Sequence, residues 1–117
     1  MEVQAIMKNV RMSAQKMREV VRQIQGLPAE KAKAVLAVVP RKSARHVVKT
    51  LKSAMANAED LKEHKPEYSG LKTENLWVKH AVAGQATTVK RMQPKARGSA
   101  GPILKRNCHI KIVLSDD

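Results

Sequence analysis

Arg41, Arg45, Lys49 and Lys52 recur at spacings of four, four and three, with Lys42 adjoining. On a helix that spacing gathers the cations into one stripe. A second group, Lys8 and Arg11 followed by Lys16, Arg18 and Arg22, is opposed only by Glu19. A third, Lys90, Arg91, Lys95, Arg97, Lys105 and Arg106, lies in a stretch with no Asp or Glu from Asn75 through Ser115. The chemistry open to such groups is neutralisation of anions. A charged helix face is usually just a solvated surface, but the acids three or four residues away that would turn these stripes into helix salt bridges are mostly missing. Three uncompensated clusters in one small chain favour contact with a polyanion.

Other chemistry has little support. His46, His64, His80 and His109 are scattered over helix, loop and two strands. No motif places a carboxylate beside any of them, so a nucleophile, base and orienter set is not expected. Cys108 and His109 are adjacent, and in a strand they point to opposite faces, which spoils shared metal ligation. Cys108 reads as an apolar filler. Gly98 and Gly101 form no phosphate loop, because neither the lysine spacing nor a strand-to-helix context follows. Met7, Met12, Met17 and Met55 read as core, whereas Met92 sits inside the basic stretch, where it is available to a partner. An enzyme is not expected, and no cofactor or metal is implied.

The whole composition agrees. The 117 residues carry 23 Lys plus Arg against 10 Asp plus Glu, a formal charge of +13. This length suits one domain burying roughly two thirds of its unfolded surface. Phe is absent and Trp77 and Tyr68 are the only aromatics, so the core is small and aliphatic. One cysteine permits no internal disulfide and points to a reducing compartment. No apolar run approaches the ~18 residues of a membrane span, and the first residues carry no secretory or organelle address. An excess of positive charge this large draws polyanions, and nucleic acid is the expected one. Helices that bind anionic membranes usually display bulky Trp, Phe or Leu, which are scarce here. The lack of aromatics also argues against modules that stack bases on rings, leaving phosphate contact as the dominant mode.

Three helices and a small sheet must position these cations. Ser13 opens a helical pattern with Ala14, Met17, Val20, Val21 and Ile24 on one face. Gly26 stops it, and Pro28 suits the start of a second helix with Ala32, Val35, Leu36 and Val39 as its stripe, ended by Pro40. A third helix, from about Arg41 to about Leu61, carries the seam Ala44, Val47, Val48, Leu51, Ala54, Met55 and Ala58. The segment Glu63 to Gly70 reads as a surface connection. The period then changes to two. Leu76, Val78 and Val82 are expected on one strand face, opposite Trp77, Lys79, Ala81 and Ala83. Cys108, Ile110, Ile112 and Leu114 alternate with His109, Lys111 and Val113. With the extended start, in which Val3, Ala5 and Met7 alternate imperfectly with Glu2, Gln4 and Ile6, these predict an α+β fold: three helices packed on a small antiparallel sheet.

Residues 85–107 mix β-formers with turn formers and form no regular in-and-out pattern. The expectation is a long protruding basic β-hairpin over 85–107, carried by a globular part, 1–84 and 108–117, within a single domain. Arms of roughly 11 residues would reach ~36 Å at about 3.3 Å per residue, against a radius of gyration near 13 Å for a compact domain of about 100 residues. A lone two-stranded ribbon is marginal in water, and six like charges weaken it further. An external anion is expected to hold it.

The segment Lys8 to Leu36, with Ser13-Ala14-Gln15-Lys16-Met17-Arg18 and Gly26, resembles the opening of the bacterial large-subunit ribosomal protein twenty-two family. So do Ser53-Ala54-Met55-Ala56-Asn57-Ala58, Val89 through Gly98, and Ile103 through Ile110. The likeness covers nearly the whole chain. It departs from the family pattern at Ser99, in an extra residue within Ala86-Thr87-Thr88, and in a longer connection from Asp60 to Thr73. The resemblance implies a structural constituent of the large ribosomal subunit in the cytoplasm, a non-enzyme that binds 23S ribosomal RNA and supports subunit assembly. Its hairpin would line the polypeptide exit tunnel, with Lys90, Arg91, Lys95 and Arg97 at or near the tip and Lys105 and Arg106 on the return arm. Lys16 and Arg18 would belong to the RNA-facing surface. Partners implied are neighbouring large-subunit proteins and, transiently, the nascent polypeptide, with no membrane and no small-molecule substrate. Read without the resemblance, the residues leave open a free architectural DNA- or RNA-binding protein and a nucleic-acid-processing enzyme.

Overall fold

A computed structural model describes residues 1–116 of the chain. The order is β1 (Glu2–Val10), α1 (Ala14–Ile24), α2 (Ala29–Val38), α3 (Lys42–His64), β2 (Trp77–Gln85), β3 (Val89–Pro94), β4 (Ala100–Lys105) and β5 (Cys108–Ser115). Strand β5 is central: β1 and β2 both pair with it antiparallel, in the order β1-β5-β2. The three helices pack on this sheet, as the periodicities predict for an α+β fold.

Local signals explain the helix ends. Ser13 caps α1, its Oγ accepting from the Lys16 N–H at 3.3 Å, which satisfies one of the open donors of the first turn. Gly26 takes φ +85, a left-handed conformation that favours glycine after a helix. The Gly26 N–H donates to the Val78 carbonyl, the Val78 N–H to Leu27 and the Ala29 N–H to Leu76. The α1–α2 connection is thereby laced to the start of β2. Pro40 follows α2 as a stop. The helix α3 runs to His64, one turn beyond the predicted end near Leu61, and the surface connection that follows contains a 3-10 turn at Pro66–Tyr68.

The core is aliphatic and small. The predicted α1 face, Ala14, Met17, Val20, Val21 and Ile24, is buried in full. From α3 come Ala44, Val47, Leu51, Ala54 and Ala58, joined by Ser43 and Thr50, while Val48 and Met55 are half-buried. The buried residues of β5, Cys108, Ile110, Ile112 and Leu114, lie on one face as its alternation predicts, and those of β1 include Val3 and Ala5, with Met7 half-buried. The faces of β2 depart from the expected pattern. Ala81 and Ala83 point inward with Val78, and Val82 is 49% exposed. A bulge between Val78 and His80 inserts one residue, and in a structure of period two that reverses the face of everything after it.

Beyond the last rung, Gln85 opposite Cys108, the chain continues as a separate two-stranded ribbon. β3 and β4 pair antiparallel from Val89 opposite Lys105 to Pro94 opposite Ala100. Between the two ladders stand three residues, 86–88, on the outgoing side and two, 106–107, on the return. The outgoing side of the root is therefore one residue longer than the return. The Ala86 N–H donates to the Asn107 carbonyl, and the Asn107 Nδ2 donates to the Thr87 carbonyl at 3.0 Å. The radius of gyration is 17.7 Å and the longest dimension 66 Å, against about 13 Å expected for the radius of a compact chain of this length. A ribbon with little but itself to pack on accounts for the excess.

Candidate nucleic-acid interface

Every cation singled out in the sequence is exposed: Lys8, Arg11, Lys16, Arg18, Arg22, Arg41, Lys42, Arg45, Lys49, Lys52, Lys90, Arg91, Lys95, Arg97, Lys105 and Arg106. Among the described residues, Arg41 alone of these meets a carboxylate, its Nη1 standing 2.6 Å from Glu19 Oε2. Because Glu19 lies on α1 and Arg41 at the start of α3, this contact ties two helices together at the surface, where such a pair contributes only modestly.

The stripe on α3 forms one wall of a groove of about 740 Å³ between the end of α2 and α3. Arg41, Lys42, Arg45, Lys49 and Lys52 line it, with Leu36 and Val48 among its apolar residues. Nearby His46 is held below the usual imidazole pKa by its own burial, with smaller contributions from Lys49 and Lys42. A site that disfavours one more positive charge is one that an anion would relieve.

On the ribbon, Lys95 and Arg97 sit in the tip turn, where the Lys95 N–H donates to the Ser99 carbonyl at 2.6 Å. Arg97 takes φ +60 and Gly98 φ +72. Lys90 and Arg91 lie farther back, opposite Leu104 and Ile103, so they belong to the shaft of the ribbon rather than its tip. Lys105 is opposite Val89 and Arg106 lies at the root. Met92 is 69% exposed, an apolar group displayed among cations.

The placement of Arg18 was not legible from its helix. Its Nε donates to the Ala83 carbonyl at 3.0 Å in a part-buried contact, linking α1 to the edge of β2 just before the ribbon departs. Arg18 and Arg106 line a common polar hollow with Gln85, Thr88 and Asn107. Those three polar residues carry no sequence signal, since a hollow between positions 13–18 and 85–107 exists only once the chain has folded.

The histidines stay apart. His109 Nδ1 accepts from the Asn9 N–H at 3.1 Å, beside a left-handed Asn9 at φ +56 in the irregular part of the β1–β5 pairing. Burial pushes the Cys108 thiol up, away from thiolate chemistry. Among the described residues no group of three His, Cys, Asp or Glu could hold a metal ion, and no helix is long and apolar enough to cross a membrane.

A small α+β domain with its cations on the outside and an acid-free ribbon projecting from its sheet defines a class of protein, the basic modules that work against a polyanion. Residues 5–115 match the family profile described as Ribosomal protein L22p/L17e. The chain is 47% identical over 116 residues to the large ribosomal subunit protein uL22 of Opitutus terrae, covering 99% of this chain and 96% of that one. It is 44% identical over 116 residues to the protein of the same name from Akkermansia muciniphila, covering 99% and 97%. The chain belongs to the L22 family of ribosomal proteins, a structural and non-enzymatic component of the large subunit.

Proposed function

We propose that this chain is a structural constituent of the large ribosomal subunit that binds 23S ribosomal RNA and supports subunit assembly in the cytoplasm. It works as one domain in two parts: residues 1–84 and 108–117 form a globular anchor, and residues 85–107 form a hairpin that lines the polypeptide exit tunnel. Neighbouring large-subunit proteins and, transiently, the nascent polypeptide are its other partners.

One observation carries this reading: sixteen exposed cations in three clusters, of which only Arg41 meets a carboxylate among the described residues. Such a surface lacks internal compensation and gains most from phosphate. Arginine can grip phosphate bidentately or stack on a base, and A-form RNA closes its major groove to side chains. Recognition then rests on RNA shape, phosphates and 2′-hydroxyls.

The test replaces Lys90, Arg91, Lys95 and Arg97 together by Ala. These side chains are exposed on the ribbon, so the globular part stays folded while affinity for ribosomal RNA falls. Unchanged affinity at near-physiological salt would refute the role given to the ribbon. Equal affinity of the wild-type chain for duplex DNA and ribosomal RNA in competition would instead support a free architectural protein.

A further inference from the structure

We propose that the hollow at the root of the ribbon is a phosphate clamp, and that filling it fixes the direction in which the ribbon leaves the domain. As a site for RNA it rests on the function proposed above. The hollow measures about 360 Å³ and its walls come from two parts of the molecule. Ser13 and Arg18 belong to the start of α1, whereas Gln85, Thr88, Arg106 and Asn107 belong to the root. The Arg18 Nε is committed to the Ala83 carbonyl at 3.0 Å, which holds the guanidinium against the outer edge of β2 and leaves its other N–H donors for a ligand. Arg106 lines the same space. No acidic residue lines it, and neither arginine meets a carboxylate among the described residues.

Two arginines lining one polar hollow carry like charge, and an anion held between them would turn their repulsion into attraction on both sides. Guanidinium forks match phosphate oxygens in pairs, and Thr88 and Gln85 on the same lining bring a hydroxyl and an amide as further polar groups. A polar lining of this size suits a phosphate group with its waters rather than an apolar ligand.

Position makes the clamp consequential. The extra residue at 86–88 breaks the ladder at this level, so the ribbon's angle is set by few contacts. Nine residues separate Gln85 from Pro94, a reach of ~30 Å at about 3.3 Å per residue. A tilt of roughly 10° at the root therefore moves the tip by about 5 Å on that lever. A phosphate bridging Arg18 and Arg106 pins one side of the root to α1 and suppresses that tilt.

The ligand is either the backbone of RNA or free phosphate, and two titrations of the full-length, 15N-labelled chain separate them. One uses inorganic phosphate against chloride at matched ionic strength, the other poly(U) RNA, both followed at the amides of Gln85, Ala86, Thr88 and Asn107. Saturable shifts at these amides are expected with both. Phosphate affinity is expected to fall roughly tenfold in R18Q and in R106Q and to stay unchanged in the exposed control K33Q. R106Q leaves the Ala83 contact intact and so guards against a mere folding defect in R18Q. Unsaturable shifts spread over the basic surface, or equal affinities in wild type and both arginine variants, would overturn the clamp. Saturation by phosphate without poly(U) binding keeps the clamp as a free-phosphate site and removes the RNA backbone as its ligand. Poly(U) binding that leaves the root amides unmoved overturns the clamp and spares the RNA reading.

Discussion

Ser43 and Arg97 are two residues whose placement works against the free protein. Ser43 is fully buried near the start of α3, and its Oγ has no hydrogen-bond partner, whereas buried Thr50 donates its hydroxyl to the His46 carbonyl at 2.9 Å. A buried polar atom without a partner costs roughly 1–3 kcal/mol of desolvation. Ser43→Ala removes that cost with little change of volume, so it is expected to raise stability by about 1 kcal/mol, read as a higher midpoint in urea with an unchanged slope. A lower midpoint would mean that the hydroxyl is satisfied in solution. Arg97 holds a left-handed backbone that costs a residue with a Cβ about 1–2 kcal/mol, and asparagine tolerates it better. Arg97→Asn is expected to slow amide exchange across β3 and β4 by about fivefold, the equivalent of about 1 kcal/mol, while weakening binding to RNA. A residue kept in a conformation that costs stability, yet carrying a charge toward solvent, fits selection for the ligand over the ribbon. Faster exchange in the variant would contradict that.

At the scale of elements, α3 was legible because its apolar seam and its basic stripe share one period. The sequence could not place Val82, because the bulge after Val78 arises from pairing with β5 and leaves no mark on the alternation of β2 itself. The stripe on α3 makes a prediction about pH. His46 has its pKa lowered by burial first and by Lys49 and Lys42 next, so the folded state binds fewer protons than the unfolded state as pH falls below the ordinary value near 6.5. Its contribution is intact above that value and is lost as pH drops through the folded pKa. Wild type is expected to lose stability relative to His46→Gln over that window, with the two melting curves parallel at pH 8. Phosphates laid along Arg45 and Lys49 would favour the imidazolium, so RNA binding is expected to take up a proton at His46. Its affinity then rises as pH falls in wild type more than in His46→Gln. An identical pH profile for both proteins would show that phosphate does not approach this stripe.

For the whole molecule, the formal charge of +13 was the plainest signal, and the structure adds that nearly all of it faces water while the ribbon extends beyond a compact radius. What no count could reveal is that residues 13–18 and 85–107 meet, since that contact spans the chain and depends on the sheet. The distribution of charge predicts opposite responses to salt. In the free protein the cations repel one another, and salt screens that repulsion over about 10 Å at 0.1 M. Raising salt from 50 to 200 mM is therefore expected to raise the melting temperature slightly. With ribosomal RNA in excess, the protein is also stabilised by mass action, which at a ligand concentration of 100 times Kd amounts to about 2.7 kcal/mol. A protein making 6–10 phosphate contacts on duplex DNA loses about 10³–10⁵ in affinity over the same range of salt, and a comparable loss here would abolish that stabilisation. The melting temperature of the complex is then expected to fall with salt until it meets the rising curve of the free chain. Parallel curves would mean that RNA is held by contacts other than charge, and the role assigned to the exposed lysines and arginines would fail with them.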